Sequence, residues 1–392
     1  MQRDPVGTCL WSATPRPGLG LVVLVGALAL AACAPTASAP AGSASPAGSA
    51  SAGGAAPSSA ASPAGAPNAA GAAAAAPPAT VEQVKFATSP AVSTAGVFIA
   101  MERGYFREAG IEIEIVPFSG GAEMISSIAA GQVDAANTDA GSGLLKALAR
   151  DLPMRFVADG SRCVRGRCGT ALVVRKDLYD SGAVREPRDL RGRTVNPQTP
   201  GSTLSQYMTR VLDRGGLQES DVNFQYVIFA DTLAAMSNKA VDASFLIEPF
   251  VTAGTAQNIT VRRYDTADLF EKTQNTMIVY SPGFAAQRTE AGKRFMVGYL
   301  RGIRDYLDAF DGGKDRAEIV GILTKHSTIK DAALFDIMGM PGFDPNGELL
   351  IDALKDQQQW WVDRGILDAP VDLDRIYDRS YLDYAHSVVG RR

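Results

Sequence analysis

Cysteine and histidine, which often serve as nucleophiles, bases and metal ligands, are scarce in this chain of 392 residues. Four cysteines and two histidines leave little from which to build a zinc site or a histidine-dependent triad. Cys163 and Cys168 lie among arginines, and a thiol beside a cation can act as a nucleophile. Two cysteines this close in sequence also pair readily as a disulfide in an oxidising compartment. The disulfide is the favoured interpretation, and a reactive thiol is the alternative.

The N-terminus is typical of an export signal. Two arginines precede an apolar run over residues 19–30, which is shorter than the ~20 residues needed to span a bilayer. The run ends in Leu30-Ala31-Ala32-Cys33, which resembles a bacterial lipobox. This predicts that residues 1–32 are removed and that Cys33 carries the lipid. An ordinary signal peptide, with Cys33 incidental, is the alternative.

Residues 34–80 are predicted to be a tether. They are almost wholly alanine, proline, serine and glycine and contain no charged residue. A flexible coil of this length spans about 35 to 40 Å on average. The sequence therefore predicts a domain held at the extracytoplasmic face of the cell membrane by a lipid anchor.

The overall charge makes nucleic acid an unlikely partner. The chain has 38 lysines and arginines against 42 aspartates and glutamates, a net charge of -4. No basic excess is present to neutralise a phosphate backbone. The hydrophobic fraction of 46% is ample for a large core.

The domain that follows alternates strands and helices. Strands are predicted over residues 81–88, 111–116 and 133–136, with helices between them, which is the pattern of a parallel sheet. A second run of the same kind begins near residue 171, and a Val-Asp-Ala strand occurs in both halves, at 133–135 and 241–243. Two lobes of similar construction are predicted. In such sheets, ligands bind beyond the carboxyl ends of the strands.

Several motifs resemble those of one family of transport proteins. They are Gly104-Tyr105-Phe106, Ala130-Gly131-Gln132-Val133-Asp134-Ala135-Ala136, Asp189-Leu190-Arg191-Gly192-Arg193, Pro200-Gly201-Ser202-Thr203 and Glu248-Pro249-Phe250. In this order, over about residues 81–310, they resemble the periplasmic binding proteins for nitrate, sulfonate, taurine, thiamine pyrimidines and riboflavin.

The resemblance implies an α/β, two-lobed type II periplasmic binding protein fold. Lobe one would comprise residues 81–175 and 282–392, and lobe two residues 176–281. Crossover strands are expected at residues 171–174 and 277–280. The partners would be a small-molecule ligand and the permease and ATPase subunits of an ABC importer, which accepts the closed form.

Loop position predicts which residues line the cleft: Ser93, Thr94, Gly120, Gly121, Asn137, Asp139, Thr199, Ser202, Thr203, Glu248 and Tyr280. Free N–H groups at helix starts would suit an oxyanion. Asp139 and Glu248 would instead repel an anion and accept hydrogen bonds from a ligand with N–H or O–H groups. Helix capping or a place on the rim is the alternative for each polar residue.

Aromatic residues near these loops favour a heteroaromatic ligand such as riboflavin or a thiamine pyrimidine precursor. They are Tyr207, Phe229, Phe245 and Tyr280, although each is also an ordinary core residue. A sulfonate, taurine or an aromatic acid is the alternative ligand. A desulfinase-like enzyme using Cys163, or a sensor domain, is less favoured, and no cofactor or metal is expected.

Overall fold

The computed structural model describes residues 81–118, 121–150 and 152–392, so Cys33, the tether and Gly120 lie outside the described residues. The strands are β1 (Glu82–Thr88), β2 (Ile111–Pro117), β3 (Ala135–Asp139), β4 (Arg155–Val164), β5 (Thr170–Arg175), β6 (Thr194–Asn196), β7 (Asn223–Phe224), β8 (Ala243–Ile247), β9 (Thr260–Asp265) and β10 (Lys272–Tyr280). They form two five-stranded sheets, in the orders β2-β1-β3-β10-β4 and β7-β6-β8-β5-β9. The predicted α/β class is confirmed.

Helices cover both sheets. They are α1 (Ala95–Glu102), α2 (Tyr105–Glu108), α3 (Gly121–Ala129), α4 (Ser142–Leu148), α5 (Lys176–Asp180), α6 (Thr203–Arg214), α7 (Phe229–Ser237), α8 (Phe250–Ala256), α9 (Thr266–Phe270), α10 (Pro282–Gln287), α11 (Thr289–Gly312), α12 (Arg316–His326), α13 (Ile351–Asp363), α14 (Leu373–Ile376) and α15 (Ser380–Val389). Within the described part of the chain, none of these helices is both long enough and apolar enough to cross a membrane.

The longest helix, α11, shows how sequence period produces the core of lobe one. Phe295, Tyr299, Ile303 and Tyr306 recur at helical spacing and are buried. Phe295 stacks on Phe86 of β1, with ring centroids 5.6 Å apart. The sheet and the helix thus share one apolar cluster, which includes residues of both β1 and β3.

The two sheets are built from different parallel and antiparallel pairs. In the first sheet β1 lies parallel to both β2 and β3, and β10 runs antiparallel to β3 and β4. In the second, β6 lies parallel to β7 and β8, and β5 runs antiparallel to β8 and β9. The late strand β10 therefore lies between β3 and β4 in the first sheet, and β5 and β9 extend the second.

The lobe boundaries differ from the prediction. The expected crossover strand at 171–174 belongs wholly to the second sheet as β5, and 277–280 belongs wholly to the first as β10. The chain passes between the lobes at 165–169 and again at α9, between β9 and β10. A run of apolar residues predicts a strand but not the sheet to which that strand belongs. Both predicted lobe boundaries therefore differ from the structure by several residues.

Two predicted strands near the cleft also differ in extent. The strand expected at 133–136 is β3, so Asn137 and Asp139 lie within the strand rather than beyond it. The sequence also predicts a strand over residues 222–229, but only β7 (Asn223–Phe224) forms there, and α7 already begins at Phe229.

Candidate ligand-binding cleft

The two lobes meet at the carboxyl ends of β3 and β6. Ser142, at the start of α4 in lobe one, donates from both its backbone N–H and its hydroxyl to the carbonyl oxygen of Gly201 in lobe two, at 3.1 and 2.8 Å. Beside this contact, the Thr203 hydroxyl of α6 donates to Asp139 Oδ1 at 2.6 Å. The lobes are therefore joined by hydrogen bonds at the mouth of the cleft.

Asp139 places a carboxylate against the start of α6. Its Oδ2 lies 3.5 Å from the backbone nitrogen of Thr203, which is the first residue of the helix. Burial raises the pKa of Asp139 above its usual range, and the hydrogen bonds from Thr203 partly offset this effect. The N-terminus of α6 is thus occupied by a carboxylate from the opposite lobe, which weakens the expectation that it holds an oxyanion.

Asn137 is a buried amide in the middle of β3, two residues before Asp139. Its Nδ2 donates to the carbonyl oxygen of Ser93 at 2.8 Å and lies 3.5 Å from Thr94 Oγ1. Its Oδ1 is buried and has no hydrogen-bond partner among the described residues. This oxygen lies over Gly160, where a Cβ atom would clash with it. The lack of a side chain at position 160 therefore leaves space for the amide.

Gln198 is the corresponding amide of lobe two, and sequence reasoning missed it. It lies two residues beyond β6 and is 5% exposed. Its Nε2 lies 3.1 Å from both Ser244 Oγ and the Phe245 carbonyl oxygen, and 3.4 Å from Thr232 Oγ1. Its Oε1 is buried without a partner in the described part of the chain. The signal that could have found it is its position after a buried strand, between two prolines.

The Glu248 carboxylate is hydrogen-bonded within the protein, which corrects the prediction that it is a free acceptor for the ligand. Its Oε1 accepts from Arg262 Nη1 at 2.9 Å and from the Gly339 backbone N–H at 3.0 Å, and its Oε2 accepts from the Thr252 N–H at 3.0 Å. The carboxylate is buried, and its charge is balanced by Arg262. Glu248 therefore links lobe two to the C-terminal part of lobe one.

Tyr280 was also predicted in the cleft, and the structure corrects this. It pairs with Ala135 at the opposite end of β3, is fully buried, and donates its hydroxyl to the Gly292 carbonyl at 2.8 Å. The antiparallel direction of β10 puts its C-terminal residue at the far edge of the sheet. Tyr207 and Phe245 lie in the core of lobe two. Phe229 stacks on Phe250 at 5.9 Å and is half-buried.

The remaining predicted cleft residues have varied surroundings. Thr94 is buried, and its hydroxyl lies 2.6 Å from that of Thr88. Ser202 is the N-cap of α6 and accepts from the Ser205 N–H at 3.2 Å, which is the capping alternative. Thr199 is exposed, as is Gly121 at the start of α3.

The loops that follow β1, β3, β6, β7 and β8 lack basic residues. The segments 89–94, 140–142, 197–203, 225–228 and 248–250 contain no lysine, arginine or histidine. A cation in these loops would be the usual partner of a bound anion. The loops offer hydroxyl, amide and carboxylate groups instead.

The cysteine pair lies at the first crossover. Cys163 and Cys168 are joined by a disulfide, and both residues are buried. The bond closes the turn between β4 and β5, where the chain leaves one sheet for the other. Among the described residues, no group of three histidine, cysteine or acidic side chains is arranged to hold a metal ion.

Sequence comparison matches residues 91–309 to the model of the NMT1/THI5-like family, which is more than half of the chain. The chain belongs to this family. This NMT1/THI5-like protein is also 28% identical over 244 residues to the riboflavin-binding protein RibY of Chloroflexus aurantiacus. That match covers 59% of this chain and 66% of RibY, slightly less than two thirds of its length.

Solved structures share the fold across different activities. The periplasmic nitrate-binding protein NrtA from Synechocystis PCC 6803 matches with a TM-score of 0.67 and 15% identity, over 79% of this chain and 89% of NrtA. The desulfurization enzyme DszB matches with a TM-score of 0.58 and 16% identity, over 79% of this chain and 99% of the enzyme. The predicted binding-protein fold is confirmed, and at these identities the likeness concerns the fold alone.

Proposed function

We propose that this NMT1/THI5-like protein is the membrane-anchored solute-binding component of an ABC importer. It captures a neutral, vitamin-like heteroaromatic ligand, either riboflavin or a thiamine pyrimidine precursor, and delivers it to the permease and its ATPase. Family membership supports a small-molecule binding role, and the likeness to RibY supports riboflavin among such ligands.

The charge of the cleft carries this proposal. The loops that follow β1, β3, β6, β7 and β8 have no basic residue, and Asp139 occupies the helix start that would otherwise suit an anion. A bound anion would find no cation in these loops and would compete with the Asp139 carboxyl group for the N–H groups at the start of α6. A neutral ligand avoids this competition. It can accept hydrogen bonds from, or donate them to, the hydroxyl, amide and carboxylate groups of these loops.

A sulfonate, taurine or an aromatic acid is the alternative ligand class, and the same charge argument disfavours it. A desulfinase-like activity would need a free thiol, whereas the two cysteines among the described residues are paired with each other. We therefore infer a binding protein without catalytic activity.

The lipid anchor is a separate part of the proposal. It rests on the lipobox-like Leu30-Ala31-Ala32-Cys33 and on the uncharged segment at residues 34–80. Lipidation of Cys33 would hold the binding domain at the extracytoplasmic face of the cell membrane, within reach of a permease.

One experiment tests both the ligand assignment and the lipid anchor. Cells of the source organism that lack the gene should lose most uptake of labelled riboflavin or of the labelled thiamine pyrimidine, and the wild-type gene should restore it. Taurine uptake serves as the control and should not change. Mass spectrometry of the protein extracted from the membranes should show a mature chain starting at a lipidated Cys33. Normal vitamin uptake with reduced taurine uptake would contradict the ligand assignment, and an unmodified Cys33 would contradict the anchor.

A further inference from the structure

Two buried amides near the strand ends, one in each lobe, have the same hydrogen-bonding arrangement. Asn137 is the central residue of β3 in lobe one, and Gln198 follows β6 in lobe two. Each is 5% exposed. In each, the NH₂ group has acceptors within the protein, and the oxygen is buried without a partner in the described part of the chain. Buried polar atoms are rarely left unpaired, so both oxygens require explanation.

The surrounding acceptors determine the orientation of each amide. Rotating Gln198 by half a turn would bring its oxygen towards the Phe245 carbonyl oxygen, which now accepts from Nε2 at 3.1 Å. The same rotation of Asn137 would oppose two oxygens at the Ser93 carbonyl, 2.8 Å from Nδ2. Each side chain can therefore offer only its oxygen to a further partner.

The backbone of Gln198 supports a functional reading. Its φ is +68°, in the left-handed region that residues other than glycine rarely adopt. Its backbone N–H donates to Asn196 Oδ1 at 2.9 Å, and this bond holds the conformation. Such conformations persist where the surroundings enforce them and are frequent at ligand sites. In this conformation the side chain reaches Ser244 and Phe245 of β8.

We propose that Asn137 and Gln198 are paired ligand acceptors, one from each lobe, that select a ligand with N–H or O–H donors at two separate positions. The inference rests on the proposed function and specifies the chemistry of the same cleft. Riboflavin has such a pattern, because its ring imide carries one N–H and its ribityl chain carries hydroxyls. A ligand with acceptors alone would leave both amide oxygens unpaired in the closed cleft.

The assignment predicts how affinity responds when a donor is removed from the ligand. N(3)-methylriboflavin lacks the imide N–H, and lumiflavin lacks the ribityl hydroxyls. Each should bind the unaltered protein more weakly than riboflavin by roughly 5- to 150-fold, the range for one unpaired buried group. Quenching of flavin fluorescence on titration with the full-length protein measures all three affinities.

Variants then identify which amide oxygen accepts a hydrogen bond from which donor of the ligand. Asn137→Leu and Gln198→Met each remove one oxygen, and each should abolish the penalty for one of the two altered ligands while keeping the other. Gln359→Met makes the same chemical change on the exposed face of α13 and is the matched control, for which both penalties should remain. Thermal melting establishes whether each variant is folded.

The outcomes separate this inference from the proposed function. If the unaltered protein binds riboflavin, N(3)-methylriboflavin and lumiflavin with equal affinity, the acceptor pair is wrong, and the proposed function stands. If either variant fails to fold, the comparison of ligands on the unaltered protein still decides. If the protein binds taurine or nitrate and ignores riboflavin and the thiamine pyrimidine, both the proposed function and the acceptor pair are wrong.

Discussion

At the scale of single residues, Asp159 of β4 shows how burial changes the chemistry of a side chain. It is 0% exposed and is contacted by Arg162 Nε at 3.1 Å, Gln274 Nε2 at 2.6 Å and the Asp344 N–H at 2.7 Å. Burial nonetheless raises its pKa to about 6, because the loss of hydration outweighs the attraction of Arg162. Asp159 is thus easier to protonate in the folded chain than in the unfolded one.

This shift predicts a pH-dependent effect of Asp159→Asn on stability. Because the pKa of Asp159 in the folded protein lies above its usual value, Asp159 contributes fully to the free energy of unfolding below about pH 4. This contribution is lost as the pH rises through about 6. The stability of the variant relative to the parent should therefore increase between these values, by up to about 3 kcal/mol. Urea unfolding at several pH values measures it. Asp352→Asn on α13, an exposed position, should give a flat difference, and a flat difference for Asp159→Asn would contradict the account.

The residues of the cleft show what a sequence can predict about a site. The sequence could predict that Asn137 and Asp139 lie near the ligand because both follow a recognisable Val-Asp-Ala motif. Parallel strands direct their carboxyl ends towards the ligand. Glu248 follows a similar strand, yet Arg262 and Gly339 take up its carboxylate, and these residues are distant in sequence. The position of Gln198 after a buried strand could have marked it as a candidate, but its contacts with three acceptors arise only on folding.

At the scale of elements, the contact between α1 and α11 depends on two glycines. Gly96 and Gly302 face each other, and a Cβ atom at position 302 would clash with the carbonyl oxygen of Gly96. Two helix backbones can approach this closely only when no side chain intervenes. The contact helps to hold α1, which begins directly after the Ser93–Thr94 segment of the cleft.

Gly302→Ala should therefore destabilise the protein by about 1 to 3 kcal/mol or more, as expected for overpacking of a core. Gly321→Ala is the matched control, because position 321 lies within α12, is exposed and has no atom within 4 Å of the added methyl. The control should stabilise the protein by up to about 1 kcal/mol through helix propensity. Chemical denaturation measures both changes, and equal effects of the two substitutions would contradict the packing argument.

At the scale of the whole molecule, the disulfide and the cleft contacts lie at different points of the junction between the lobes. The Cys163–Cys168 bond braces the first crossover, and Glu248 with Gly339 links the lobes near it. Asp139 and Thr203 join them at the strand ends. Type II binding proteins close by bending at such crossovers, so the hydrogen bonds at the strand ends are the ones that we expect to break on opening.

The architecture was easier to predict than the junction of the lobes. Alternating strands and helices indicated two α/β lobes, because local periodicity determines which segments become strands or helices. Nothing in the apolar runs at residues 171–174 of β5 and 277–280 of β10 indicates the sheet to which each strand belongs. Their long-range pairing therefore had to come from the structure.

The central claim is that the cleft binds a neutral, donor-bearing heteroaromatic molecule. Equilibrium titration of the purified protein with riboflavin, the thiamine pyrimidine, taurine and nitrate at low and high salt tests it most directly. We predict saturable one-to-one binding of one of the two vitamin-like ligands, with an affinity that changes little with salt because the ligand is uncharged. Taurine and nitrate should neither bind nor compete. Tight, salt-sensitive binding of nitrate or taurine, without binding of either vitamin-like ligand, would contradict the account.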